Sequence, residues 1–164
     1  MSDGSPEIEI RPLDEAYFET ILGIAEILED APHWSREQYE EILSGGELPP
    51  DSPHRKRIGL VAHELRSQEV LGFVVASLVA PEAELESIAV AAHAQRRGVG
   101  RSLLEALTTK LRLAGIEDLL LEVRATNVAA IGFYRAQNFK QIGVRPRYYA
   151  DPEGDAVLMR LRLG

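Results

Sequence analysis

The chain contains no cysteine. That excludes disulfides, a thiolate nucleophile and a cysteine zinc site, and it fits a reducing, cytoplasmic setting. There is no run of eighteen apolar residues, so no membrane span is expected. The opening stretch MSDGSPEIEI is acidic and lacks an apolar segment, so it does not read as a secretory signal. The four histidines, His33, His54, His63 and His93, show no metal-ligand spacing, and no metal site is expected. Positive charge is also in deficit: 18 Lys and Arg stand against 26 Asp and Glu, a net charge of -8. Such a balance argues against nonspecific nucleic-acid binding, which depends on neutralising phosphates. It suits cationic partners such as a basic peptide or an amine, although the same charge also serves solubility alone.

What is present is a globular composition. Of 164 residues, 45% are hydrophobic and 27% charged, which predicts a single domain with a real core. There is no internal repeat or low-complexity block. Residues 7–11 alternate apolar and charged side chains and read as a strand. Asp14 is placed to cap a helix carrying Phe18, Ile21, Leu22, Ala25 and Leu28 at helical spacing. Ser35, with Gln38 three residues on, predicts a second short helix that fades by Ser44. Residues 45–56, GGELPPDSPHRK, read as a loop. The segments 58–65 and 70–79 predict a hairpin turning at 66–69, and 84–91 a further strand. Val99, Leu103, Leu107 and Leu111 mark a long helix ending near Gly115. Then follow a short buried strand at 119–124, a helix capped by Asn127 and running to about Gln137, and strands at 139–145 and 156–163. This order predicts a mixed α/β fold, a sheet with helices on both faces, in which the 84–124 portion needs a right-handed crossover and a parallel pair.

The most informative stretch is Gln95-Arg96-Arg97-Gly98-Val99-Gly100, between a strand pattern and a helix pattern. A glycine-bearing turn that opens a helix leaves backbone N–H groups unpaired at the positive end of the helix dipole, which makes an anion site. A Walker turn would need a Gly-Lys-Ser/Thr ending, and a dinucleotide fingerprint a third glycine early in the fold; neither is present. Read alone, the turn is also compatible with a plain connection bearing solvated arginines.

The surrounding residues decide between these. LESIAVAAHAQRRGVGRSLLEAL, beginning at Leu85, resembles the acetyl-CoA-binding motif of the GNAT superfamily of N-acetyltransferases, with Gln95, Gly98 and Gly100 in their places. The later LEVR at 121–124, Asn127, Ala130, and Phe133-Tyr134 before Phe139 are similar as well. Within the superfamily the chain is most similar to the bacterial ribosomal-protein-alanine N-acetyltransferases. That likeness rests on Trp34-Ser35 after a proline, LEVRATN at 121–127, Tyr148-Tyr149, and Asp155-Ala156 before Met159. Two positions depart from the family pattern: Asn138 stands where glycine is usual, and Gly154 stands in a Glu-Asp-Ala triplet. Asparagine is the next-best residue for a left-handed helix end, so the fold is expected to tolerate Asn138.

The resemblance implies a GNAT fold, a mostly antiparallel twisted sheet with a parallel pair at the cofactor site. It implies acetyl-CoA as cofactor, with coenzyme A as product. Backbone N–H groups over 97–102, including Val99, Gly100 and Ser102, would hold the pyrophosphate, with Arg96, Arg97 and Arg101 adding charge. The strand at 87–90, with Ile88, Ala89 and Val90, would pair with the pantetheine amides, and the N–H near Val90 would polarise the thioester carbonyl. Asn127, Ala130 and Phe133 would complete the cofactor site. Tyr134 would be the general acid for the departing thiolate; its plain alternative is a half-buried tyrosine beside Ile131. Glu122, a carboxylate inside the apolar run LLLEVR, would be the general base; its alternative is an ion pair with Arg124 or Arg135. Glu84 and Glu86 are rival bases, or hold a cationic amine, or face solvent. Tyr148 and Tyr149 would line a peptide groove or pack in a strand, and Trp34 would wall the groove or sit in the core.

The activity so implied is transfer of an acetyl group to a primary amine by direct attack in a ternary complex, consistent with the absence of cysteine. The acceptor implied is the N-terminal α-amine of a ribosomal protein, with no nucleic acid or membrane as partner. The competing readings are acetylation of a small amine or a lysine side chain, and a non-catalytic acyl-CoA sensor. Intact Glu122 and Tyr134 speak against the sensor.

Overall fold

The structure is a computed structural model that describes residues 7–27, 37, 56–150 and 152–164. The chain starts with strand β1 (Ile8–Pro12). Asp14 then accepts a hydrogen bond from the Ala16 N–H at 2.9 Å, which caps a single 3-10 turn rather than an α-helix. Helix α1 (Phe18–Ile27) follows. The helix expected from Ser35, Leu28, Trp34 and the loop over 45–55 lie outside the described residues. Lys56 already belongs to strand β2 (Lys56–Glu64), which forms the expected hairpin with β3 (Val70–Val79).

Strand β4 (Glu82–Val90) leads through a short 3-10 turn into α2 (Val99–Leu113). Leu103, Leu107 and Leu111 repeat every four residues and are completely buried, which fixes the inward face of this helix. Strand β5 (Asp118–Arg124), helix α3 (Val128–Ala136), β6 (Lys140–Ala150) and β7 (Glu153–Arg162) complete the order.

Helices α2 and α3 end in the same way. Ile116 donates to Leu111 O and Gly115 to Arg112 O; Phe139 donates to Tyr134 O and Asn138 to Arg135 O. These are paired Schellman bonds, which need a left-handed residue just past the helix. Gly115 supplies it at φ 79° and Asn138 at φ 73°. Asparagine thus takes over the part that glycine usually plays, and the Phe139 ring closes on Tyr134 at 5.5 Å.

Among the described residues seven strands form one sheet in the order β1-β2-β3-β4-β5-β7-β6. All neighbours are antiparallel except β4 and β5. One face carries α2, with Leu60, Val74, Leu85, Leu119 and Met159 beneath it. The other carries α1, whose Phe18 and Ile21 meet Val61, Phe73 and Val75. Helices therefore lie on both faces of a mixed sheet, as the element order requires.

Strand β6 is longer than the 139–145 expected from sequence. Pairing with β7 is irregular between Arg145 and Tyr149, where Arg147 takes a left-handed φ of 53°, so Pro146 gives up no ladder bond, and pairing resumes at Tyr149↔Gly154 before the strand ends at Ala150. The extension brings Tyr149 into register with Gly154, while Tyr148 lies in the irregular part just before it. Strand β7 correspondingly begins at Glu153 instead of 156.

Candidate active site

Two irregularities in the sheet create an opening. The β3/β4 register passes from Val75↔Ser87 to Ala76↔Leu85, so Glu86 is an extra residue, a bulge that bends β4. Just before it, the parallel pairing with β5 stops: only Glu82, Glu84 and the residue between them face partners, at Asp118, Leu119 and Leu120. Beyond that point, residues 87–90 keep their β3 partners but have lost β5 on their other side. Among the described residues, the ladder groups on that side of 87–90 thus have no partner strand inside the sheet, although Ser87 and Ala89 are buried. The bulge also reverses the faces. Ala83 and Leu85 point to the α2 core before it; Ala89 belongs to the α1 core after it, while Ile88 and Val90 pack on the α2 side.

The opening leads to the start of α2. Arg96 and Gly98 both have left-handed backbone, φ 62° and φ 81°. The first helical bond runs from Ser102 N to Gly98 O at 3.0 Å. The N–H groups of Val99, Gly100 and Arg101 therefore lie ahead of the helical ladder. Among the described residues no side chain caps them, and no acidic residue occupies the first turn. Ser102, expected among the backbone donors, spends its N–H within the helix. Arg96 and Arg97 are exposed, and among the described residues no carboxylate pairs with either. Arg101 instead reaches Glu105 at 2.9 Å. Gln95 donates to the Val90 carbonyl at 3.2 Å, fastening the turn to the end of β4. His93 is exposed, and Glu69 lies 2.9 Å from its Nε2.

Helix α3 flanks this turn. Asn127 caps it by accepting the Ala130 N–H at 3.1 Å. Phe133 lies against Gly100, where an added Cβ would meet its ring at 3.1 Å. Next to Phe133, Tyr134 is packed between that ring and Phe139, with centroids 5.4 and 5.5 Å away. Burial pushes its phenol up to about 12, so it holds its proton at any physiological pH. Tyr134 packs with the α2-side core.

On the opposite face, β5 alternation turns Leu119, Leu121 and Val123 into the α2 core and leaves Leu120, Glu122 and Arg124 outward. There a cavity of about 400 Å³ is lined by Ser77, Glu82, Glu84, Glu122, Ile142 and Arg145, among others. Glu122 does not pair with Arg124 or Arg135. Its Oε1 lies 3.5 Å from Arg145 Nη1. Hydrogen bonding toward this carboxylate and its negative charge raise the Tyr148 phenol above its ordinary value. Tyr148 and Tyr149 stand edge to face at 5.1 Å, and the Arg124 guanidinium lies over Tyr149 at 4.1 Å. Glu86 is engaged elsewhere: Arg57 grips both its oxygens, at 2.8 and 3.3 Å. Glu84 lines the same cavity as Glu122. Trp34 lies outside the described residues.

Sequence reasoning passed over Arg145, Ser77 and Arg57. Nothing local marks them, because each reaches this face through strand register alone. Arg57 pairs with Ser77 and Ser77 with Glu84, so those three stand side by side across β2, β3 and β4, whereas Arg145 comes from β6.

Comparison with known proteins bears on the whole arrangement. The model of the Acetyltransferase (GNAT) family matches residues 21–139. A [Ribosomal protein bS18]-alanine N-acetyltransferase of Salmonella typhimurium is 44% identical over 91 residues, 54% of this chain and 62% of that protein. The protein of the same name from Escherichia coli strain K12 is 41% identical over 95 residues, 57% of this chain and 64% of that one. The chain thus matches a little under two thirds of the length of these curated relatives. The crystal structure of the ribosomal-protein-S18-alanine N-acetyltransferase from Escherichia coli superposes with a TM-score of 0.78 at 29% identity, covering 96% of this chain and 95% of that one. With more than half of its length matched by the family model, the chain belongs to the GNAT acetyltransferase family.

Proposed function

We propose that this protein is an acetyl-CoA-dependent N-acetyltransferase whose acceptor is the N-terminal α-amine of a ribosomal protein. The observation that carries this reading is the parallel β4/β5 ladder, which ends after three rungs beside an uncapped helix start. That geometry fits an extended amide-bearing chain ending in a diphosphate. The side of 87–90 that lacks a β5 partner offers ladder groups to the amides, and the N–H groups of Val99, Gly100 and Arg101, with the exposed Arg96 and Arg97, offer donors and charge to the phosphates.

Acetyl-CoA, when bound, supplies a thioester whose carbonyl is open to attack by an amine. The residues of the chain do the rest. An N–H near Val90, on the side without a β5 partner, would steady negative charge on that carbonyl oxygen. Glu122, on the cavity side, takes the proton from the acceptor ammonium. Tyr134, on the α3 side, keeps its proton until a basic sulfur is held against it, and then donates it. The opening between β4 and β5 lies between these two groups, so attack and departure take place on opposite faces of the sheet.

The acceptor assignment is supported by the names of the matched relatives and by charge. Three carboxylates, Glu82, Glu84 and Glu122, line the cavity of a protein with net charge -8, which favours a basic peptide terminus.

The test is thiol release from acetyl-CoA against a panel of acceptors: a basic peptide with free N-terminal alanine, a lysine peptide blocked at its N-terminus, and a small polyamine. The protein has no cysteine, so every thiol detected is coenzyme A. Turnover on the alanine peptide at least about tenfold above the others is expected. Faster turnover on the polyamine or lysine peptide would replace the acceptor, and tight cofactor binding with no thiol release on any acceptor would make the protein a sensor.

A further inference from the structure

The cavity holds an unusual resident. Of its described lining residues, Arg145 is the one cation, among Glu82, Glu84 and Glu122. Its Nη1 lies 3.5 Å from Glu122 Oε1, beyond the roughly 2.7–2.9 Å of a charge-assisted hydrogen bond. The Arg145 side chain is 56% exposed and that of Glu122 only 20%. The contrast with Arg57 and Glu86 is instructive: there two bonds form, and the side chains are 25% and 15% exposed. One arginine is locked, the other merely close.

Arg145 also has somewhere to go. Its guanidinium already lies 5.7 Å from the centroid of the Tyr148 ring. A small swing away from Glu122 would keep the cation on that ring while freeing a carboxylate oxygen. An acceptor amine arrives as an ammonium and needs the same oxygen.

We propose that Arg145 is a tethered stand-in for the acceptor's ammonium, filling its electrostatic place on Glu122 until a cation displaces it toward Tyr148. Arg145 then sets an affinity threshold at the acceptor site: it weakens every acceptor by the same factor, so only amines that make further contacts in the groove bind well enough to displace it. The inference rests on Glu122 being the group that receives the acceptor.

Two variants, Arg145→Gln and Arg145→Lys, saturated with coenzyme A, are titrated calorimetrically with a short basic peptide bearing free N-terminal alanine, and with its N-acetylated twin. Removing a competing ion pair that is half exposed should tighten the free-amine peptide about two- to fivefold in Arg145→Gln. The acetylated twin should be unaffected, and Arg145→Lys should bind like the parent. Weaker binding of the free amine, an equal shift for both peptides, no shift, or no detectable binding by any form would overturn the proposal. Thiol release from the parent with the same peptide is scored separately. Tightening without turnover keeps Arg145 in this part and removes the acetyl-transfer reading; turnover without tightening does the reverse.

Discussion

Gly100 and Phe133 are fitted to each other: a Cβ on Gly100 would stand 3.1 Å from Cζ of Phe133 and 3.4 Å from its Cε2. The second glycine of the turn therefore makes room for a ring of the protein itself, which brings α3 against the first turn of α2. Gly100→Ala should cost about 1 kcal/mol, because overpacking outweighs the modest gain in helix propensity at a first-turn position. Denaturant midpoints check it. Adding Phe133→Leu should return at least about half of that loss, a coupling read from the double-mutant cycle.

Gly98 differs from its neighbour. A Cβ there meets nothing within 4 Å, so only the left-handed backbone, φ 81°, resists substitution. Gly98→Ala should cost about 1 kcal/mol of stability from that strain. Gly98→Glu should carry the same strain and, in addition, weaken coenzyme A binding at least about tenfold, since its carboxylate competes with an anion at the helix start. Calorimetric affinities for the two variants separate strain from charge, and equal affinities would discredit the phosphate assignment.

Tyr134→Phe keeps the ring between Phe133 and Phe139 and removes only the hydroxyl. We expect kcat to fall about a hundredfold with cofactor affinity nearly kept. A pH signature should accompany it. Because burial lifts this phenol from 10 to about 12, the folded state binds more protons than the unfolded one in that window. The stability linked to Tyr134 is complete below pH 10 and is lost as pH rises toward 12. Melting curves of the parent should fall more steeply across that range than those of Tyr134→Phe.

The candidate bases separate by what already holds them. Glu86 sits in a bidentate, largely buried pair with Arg57, so Glu86→Gln should chiefly cost stability, about 1–2 kcal/mol. Glu122 faces the cavity, and Glu122→Gln should lower kcat/KM about a hundredfold. Steady-state kinetics and thermal melts on both variants check the contrast. A larger kinetic loss in Glu86→Gln would exchange their parts.

The sequence carried the architecture well because its signals were local. The four-residue leucine repeat, the Asn127 cap and the glycine just after α2 each act within one turn, and each element lies close to where its pattern placed it. Asn138 was legible for the same reason: its backbone conformation is a property of the residue itself. The parallel pair followed from the strand–helix–strand order. What stayed hidden depends on register. The bulge at Glu86 decides which face 87–90 presents, and it follows from how β4 lies on β3, two strands with no distinctive residue at that point. The partners of Glu122 were misjudged likewise: Arg124 is near in sequence, but its side chain lies over Tyr149 and bonds Pro152 O, while Arg145 comes from the far side of β7.

A ladder of three rungs leaves the sheet as two panels, β1 to β4 and β5 to β6, sharing a short seam and the apolar floor beneath α2. A molecule lying along the open part of that seam would lace the panels together. Loading would then stiffen the very framework that keeps Glu122 and Tyr134 on opposite sides of one gap, so the spacing of the two groups is completed by the cargo between them.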